Sequence, residues 1–71
     1  MNDEIRTKLG SNIRQTREEC GLSQKQLALM IGCGKAYISE VEAGLRNPTV
    51  ETVGKFSKGL NTTLENLFRG I

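Results

Sequence analysis

Leu22-Ser23-Gln24-Lys25-Gln26-Leu27-Ala28 is the stretch whose reading decides the fold. Ser23 followed three residues later by Gln26 is a capping box. The serine hydroxyl accepts from the third helical amide while the glutamine side chain reaches back to the serine amide. Leu22 and Leu27 flank the box as a hydrophobic staple. A helix therefore starts at 24, buries Leu27, Ala28 and Ile31, and stops at Gly32. Gly32-Cys33-Gly34 then reads as a tight turn. Its glycines do not suggest a phosphate cradle, because no strand precedes them and no Gly-Lys-Ser/Thr follows. Past the turn, Ile38 and Val41 give the buried side of another helix over 35–43, ended before Gly44.

Working outward, the same periodicity continues on both sides. Upstream, Ile5, Leu9, Ile13, Thr16 and Cys20 recur at spacings of four and three, one apolar stripe on a first helix that Gly21 ends. Downstream, Leu45-Arg46-Asn47-Pro48 is a loop, since residues before proline avoid the helical region. Thr49 caps a helix over 50–59 with Val50, Val53, Phe56 and Leu60 as its apolar face. Gly54 inside that helix costs about 1 kcal/mol relative to Ala. Thr63 caps a short last helix over 64–69 carrying Leu64, Leu67 and Phe68. No segment alternates with the period of a strand. The expected fold is all-α, one domain over 1–71, a bundle of five short helices.

Composition narrows function by exclusion. The 71 residues contain no His and no Trp, two Cys and one Pro. Without His there is no usual general base, no Ser-His or Cys-His nucleophile pair, and none of the commonest metal ligand. Cys20 and Cys33 alone cannot make a structural zinc site, which takes four ligands. No enzyme activity, metal or cofactor is expected, and both thiols read as reduced core residues. The longest apolar run, Leu27 to Ile31, is far too short for a bilayer. The opening Met1-Asn2-Asp3-Glu4 lacks the basic start and apolar stretch of a secretory signal, so a cytoplasmic location is expected. Ten Lys and Arg against eight Asp and Glu give a net charge of +2, spread as zero over 1–22 and +1 over each of 23–48 and 49–71. Charge alone would not suggest a nucleic-acid partner.

A helix, a short Gly-containing turn and a second helix form a helix-turn-helix. Leu22-Ser23-Gln24-x-x-Leu27-Ala28, Gly32, Ile38-Ser39-x-x-Glu42-x-Gly44 and Asn47-Pro48 in this order resemble the lambda-repressor/Cro-like, XRE-type helix-turn-helix domain. The likeness continues through Val53, Leu60, Leu64 and Leu67 and covers about residues 7–68. The resemblance implies that 24–31 is the positioning helix and 35–43 the recognition helix, within a motif over 23–43. Lys35, Ala36 and Glu40 then fall where related repressors place base-reading side chains, with Tyr37 and Ser39 on or beside that face. Gln24 corresponds to a side chain that reaches phosphate or base, and Arg46 and Asn47 to the loop that meets the sugar-phosphate backbone.

The chemistry suits these roles unevenly. Lys35 can donate to guanine O6 and N7 or hold a phosphate, and Ala36 can meet a thymine methyl. Glu40 can accept from cytosine N4, or serve only to order Lys35 or another base reader on its own helix. Arg17 and Glu42 match an ion pair that ties the first helix to the third in many members, a structural role.

The resemblance implies a sequence-specific regulator that binds double-stranded DNA as a homodimer on an inverted-repeat operator. The alternative is an antitoxin or adaptor whose main partner is another protein. Because the sequence stops after the fifth helix, it looks like the free-standing members, Cro-type repressors and restriction-modification controller proteins, with no small-molecule ligand expected. The dimer interface is expected at the C-terminal helices over 50–69, through Leu64, Leu67, Phe68 and Ile71.

Overall fold

A computed structural model describes residues 1–71 and contains five helices and no strand. Helix α1, Asp3–Glu19, starts where Asn2 Oδ1 accepts from the Ile5 amide at 2.8 Å. Asp3 and Glu4 in the first turn and Arg17 in the last complement the helix dipole. The helix ends at Gly21, whose φ of 72° is easy for a residue without Cβ. Both halves of the capping box form at α2, Gln24–Ile31: Gln26 N–H donates to Ser23 Oγ at 3.0 Å, and Ser23 N–H to Gln26 Oε1 at 2.8 Å. Gly32 closes α2 at φ 78°, Gly34 caps α3, Lys35–Glu42, and Ala43 ends it. Thr49 and Thr63 accept from the third amides of α4, Val50–Gly59, and α5, Leu64–Leu67.

Ten apolar side chains make the core: Leu9 and Ile13 of α1, Leu27 and Ala28 of α2, Ile38 and Val41 of α3, Val53 and Phe56 of α4, then Leu60 and Leu67. Helix α1 lies against α3 and α5, and α2 against α3 and α4. The α1–α3 crossing is close because Gly10 stands there. A Cβ at Gly10 would lie 2.3 Å from the Val41 carbonyl oxygen and 2.8 Å from that of Glu42. Two residues further along α1, buried Asn12 donates from Nδ2 to the carbonyls of Leu67 and Arg69, both at 2.9 Å. It thereby satisfies carbonyls that the short α5 leaves without a partner.

Several side chains lie elsewhere than periodicity predicts. Val50 is 73% exposed, because at the first position of α4 it projects past the core that Val53 and Phe56 fill. Cys20 is exposed rather than buried, and Cys33 and Ile31 are only half-buried. Burial nevertheless pushes the Cys33 thiol above its ordinary range, against a smaller opposite pull from the Lys55 ammonium. Leu67 is fully buried within its own chain, which removes it from any surface a second copy could touch. Of the expected C-terminal patch, Leu64 and Ile71 are exposed and Phe68 is half-buried. Helix α5 stops at Leu67 instead of 69, its last turn closing through an Asn66 carbonyl that takes both the Arg69 amide and Arg69 Nη1.

Candidate nucleic-acid interface

Helix α3 divides its residues between two faces. Ile38 and Val41 go into the core. Lys35, Ala36 and Ser39 are exposed, while Tyr37 and Glu40 are half-buried beside them. Positions 35, 36, 39 and 40 share one side of a helix of 3.6 residues per turn, so four expected contact residues lie on one face. Lys35 has no carboxylate within 4 Å and is free to reach outward.

The face is held from behind by a polar hub. Arg17 Nε donates to Glu42 Oε2 at 2.7 Å and Arg17 Nη2 to Glu42 Oε1 at 3.1 Å, a bidentate pair with side chains 10% and 3% exposed. Arg17 Nη1 donates to the Leu22 carbonyl at 2.7 Å, which fixes the chain just before α2. Gln24 Nε2 gives the carboxylate its third hydrogen bond, to Oε1 at 3.0 Å. The hydrogen bond to Glu42 holds the Arg17 guanidinium above its usual pKa, with burial acting the other way. Three helices thus converge on one carboxylate, and every buried side-chain nitrogen and oxygen has a partner. In this arrangement Gln24 is engaged through its nitrogen, unlike the outward-reaching side chain expected of it.

Past α3 the chain turns at Gly44, φ 77°, where a Cβ would approach Thr7 Oγ1 to 2.9 Å. Arg6 of α1 clamps this turn: Nε donates to the Gly44 carbonyl at 3.3 Å and Nη1 to Asn47 Oδ1 at 3.5 Å. Arg46 folds back over α3. Its Nε and Nη2 donate to Glu40 Oε1, both at 3.3 Å, and its guanidinium carbon lies 5.6 Å from the Tyr37 ring centroid. Glu40 therefore pairs across the loop and not with Lys35 on its own helix. The surface gathers Lys35, Ala36, Tyr37, Ser39, Glu40 and Arg46 along α3 and its following loop. Arg6, which the sequence reading missed, anchors Asn47 from a helix 41 residues away. No local pattern could announce that contact.

The helix-turn-helix family profile matches residues 13–67. The chain is 38% identical over 72 residues to the control protein C.MunI of a Mycoplasma species, covering 100% of this chain and 96% of that one. It is 39% identical over 59 residues to an uncharacterised helix-turn-helix transcriptional regulator of Mycobacterium tuberculosis, of whose length the match spans 42% and of this chain's 83%. Among solved structures, the restriction-modification controller protein C.AhdI of Aeromonas hydrophila superposes with a TM-score of 0.84 at 34% identity, over 87% of this chain and 94% of that one. The controller protein C.Esp1396I, solved as a tetramer in complex with its natural 35 base-pair operator, superposes with a TM-score of 0.85 at 28% identity, over 94% and 88%. The all-α architecture, the turn geometry and these matches agree: the chain belongs to the XRE-type, lambda-repressor-like helix-turn-helix family of transcriptional regulators.

Proposed function

We propose that this chain is a sequence-specific regulator of the restriction-modification controller type, binding an inverted-repeat operator as a homodimer with α3 in the major groove. The observation that carries the reading is the outward face of α3, fixed from behind by the hub around Glu42 and set beside the Arg46 loop. A rigid helix with a free lysine in its first turn is the geometry for base-edge contact, and the loop suits backbone contact. That C.Esp1396I, a chain of the same fold, forms a complex with its natural operator supports a double-stranded DNA partner here.

A second copy is needed because one recognition helix contacts too few bases for useful affinity. The surface offered to it is the apolar trough among Met1, Ile5, Pro48, Val50, Phe68 and Ile71. It overlaps the expected patch at Phe68 and Ile71, leaves out Leu64 and Leu67, and adds Val50 of α4. Val50→Glu tests it well, since that side chain is exposed and its loss leaves the monomer intact. In sedimentation at micromolar concentration the wild type runs as a dimer and Val50→Glu as a monomer; two dimers reject the trough.

Selection of duplexes from a randomised pool, followed by footprinting, tests the DNA reading. Symmetric protection of an inverted repeat is expected, with recognition helices about 34 Å apart. Lys35→Ala then costs about 1–3 kcal/mol per half-site and changes the ranking of single-base variants. Arg46→Ala lowers the slope of log affinity against log salt by about one and leaves that ranking alone. Enrichment of no duplex rejects the reading.

A further inference from the structure

Glu40 is a carboxylate on the face proposed to meet a polyanion, and it sits half-exposed in contact with one specific cation. That placement demands a role, since an uncompensated carboxylate there repels phosphate. The Arg46 guanidinium gives both Nε and Nη2 to a single oxygen, Glu40 Oε1, and lies over the Tyr37 ring. Its remaining edge, Nη1, makes no hydrogen bond within the chain and is left to reach outward. Arg46 is therefore not a loose loop cation. A carboxylate on one side and an aromatic face on the other set its direction, and a planar five-donor group keeps that direction in a way that a lysine ammonium does not.

We propose that Glu40 is a specificity-determining positioning residue that acts through Arg46: it aims the guanidinium at one backbone phosphate of correctly seated DNA and penalises DNA seated otherwise. The inference rests on the DNA-binding reading. Where a phosphate lies in line with Nη1, the carboxylate and the phosphate share the guanidinium between them. Where no phosphate lies in line, the guanidinium stays on the carboxylate, and the pair offers the DNA backbone no net positive charge. The same side chain thus raises the ratio of operator to non-operator binding without touching a base.

The test is a double-mutant cycle of wild type, Glu40→Gln, Arg46→Ala and the double variant. Each is titrated at three salt concentrations with a duplex that the wild type enriches from a randomised pool, and with a scrambled duplex of equal length and composition. Glu40→Gln in the presence of Arg46 is expected to weaken enriched-duplex binding about two- to five-fold, the range open to an exposed charged pair. It is also expected to strengthen scrambled-duplex binding by a similar factor. In the Arg46→Ala background the same change is expected to strengthen binding to both duplexes, reversing its sign on the enriched one.

A readout free of DNA accompanies the cycle. Tyr37 is the sole tyrosine and there is no tryptophan, so its ring is a local reporter. The ring-current shift of the Arg46 side-chain protons is expected to shrink in Glu40→Gln while the cooperative thermal transition is retained. An equal effect of Glu40→Gln with and without Arg46 overturns the inference, as does an unchanged ring-current shift. A changed preference at one base pair that persists in Arg46→Ala overturns it too, because Glu40 then reads a base itself. Wild type that enriches no duplex overturns the DNA-binding reading and this inference with it, whereas wild type that binds while the cycle is additive overturns this inference alone.

Discussion

Helix α3 supplies the carboxylate of two Arg–Glu pairs of the same chemistry in opposite surroundings. Arg17 and Glu42 meet at 2.7 and 3.1 Å with almost no exposed side-chain surface, and Glu42 also takes a hydrogen bond from Gln24. Arg46 and Glu40 meet at 3.3 Å with side chains 52% and 43% exposed. Water decides what each can be used for. Inside, neither ion can recover its hydration if the partner leaves, so the pair is locked and α3 is fixed to α1 and α2. Outside, water solvates either partner, so the pair is cheap to open and its cation is available to another anion. One helix thus holds its orientation with one pair and presents chemistry with the other.

The sharpest way to break that contrast is to remove one carboxylate at a time. Glu42→Ala leaves the Arg17 charge buried and unpaired, at a cost of about 3–5 kcal/mol. Since 1 kcal/mol moves the midpoint of a domain this size by about 4–8 °C, the variant should melt far below the wild type or fail to fold. Arg17→Met with Glu42→Leu removes both charges and should recover much of the loss, because a buried pair replaced by packed apolar groups is often neutral. Urea denaturation of the three proteins checks this. Equal stability of Glu42→Ala and wild type would make the hub ornamental.

Next in size is the crossing that brings the hub together. Gly10→Ala places a Cβ against two backbone carbonyls of α3, which cannot rotate away as a side chain would. Overpacking of this kind costs about 1–3 kcal/mol, even though Ala is the better helix former by about 1 kcal/mol. Gly54 is the control. A Cβ there meets nothing within 4 Å, so Gly54→Ala in α4 should stabilise by about 0.5–1 kcal/mol. Opposite signs in thermal melts are the expected result. The same sign for both would remove close approach of α1 and α3 as the reason for Gly10.

These positions also mark where the sequence is legible. The capping box at Ser23 and Gln26 and the stops at Gly21 and Gly32 are local, and residues a few positions apart suffice to place α2 and α3. Arg17 with Glu42 spans 25 positions, and it enters the sequence reading only through the family resemblance. Asn12 sits beside the apolar stripe of α1, and nothing in its local spacing marks it as buried. Its burial follows from the bare carbonyls of α5, 55 positions away. Val50 shows the converse: its spacing fits the apolar face of α4, but the first turn reaches beyond the core. The Glu40–Arg46 contact needs the path of the loop through Gly44, which depends on Thr7 and Arg6 and so on the packed structure.

A third, smaller cut separates the hub's members. Gln24→Ala removes one neutral donor from Glu42 and leaves the bidentate pair intact. The expected loss is about 1–2 kcal/mol, within the scale of hydrogen bonds to charged groups at a half-buried site. A loss as large as that of Glu42→Ala would mean that Gln24, and not Arg17, holds the carboxylate.

The smallest effect sharpens the comparison from the exposed side, through salt. Glu40→Gln should change stability by less than about 1 kcal/mol, since water already screens the pair and two long side chains lose freedom in making it. What remains is Coulombic between exposed groups, and the screening length falls from roughly 10 Å at 0.1 M salt to 3 Å at 1 M. The difference between wild type and Glu40→Gln should therefore shrink towards zero across that range in urea denaturation. The cost of Glu42→Ala should persist, because ions do not enter the space between Arg17 and its missing partner. Two salt dependences that run in parallel would place both pairs in the same dielectric surroundings and dissolve the division of labour along α3. A flat dependence for the buried pair beside a vanishing one for the exposed pair is what the geometry requires.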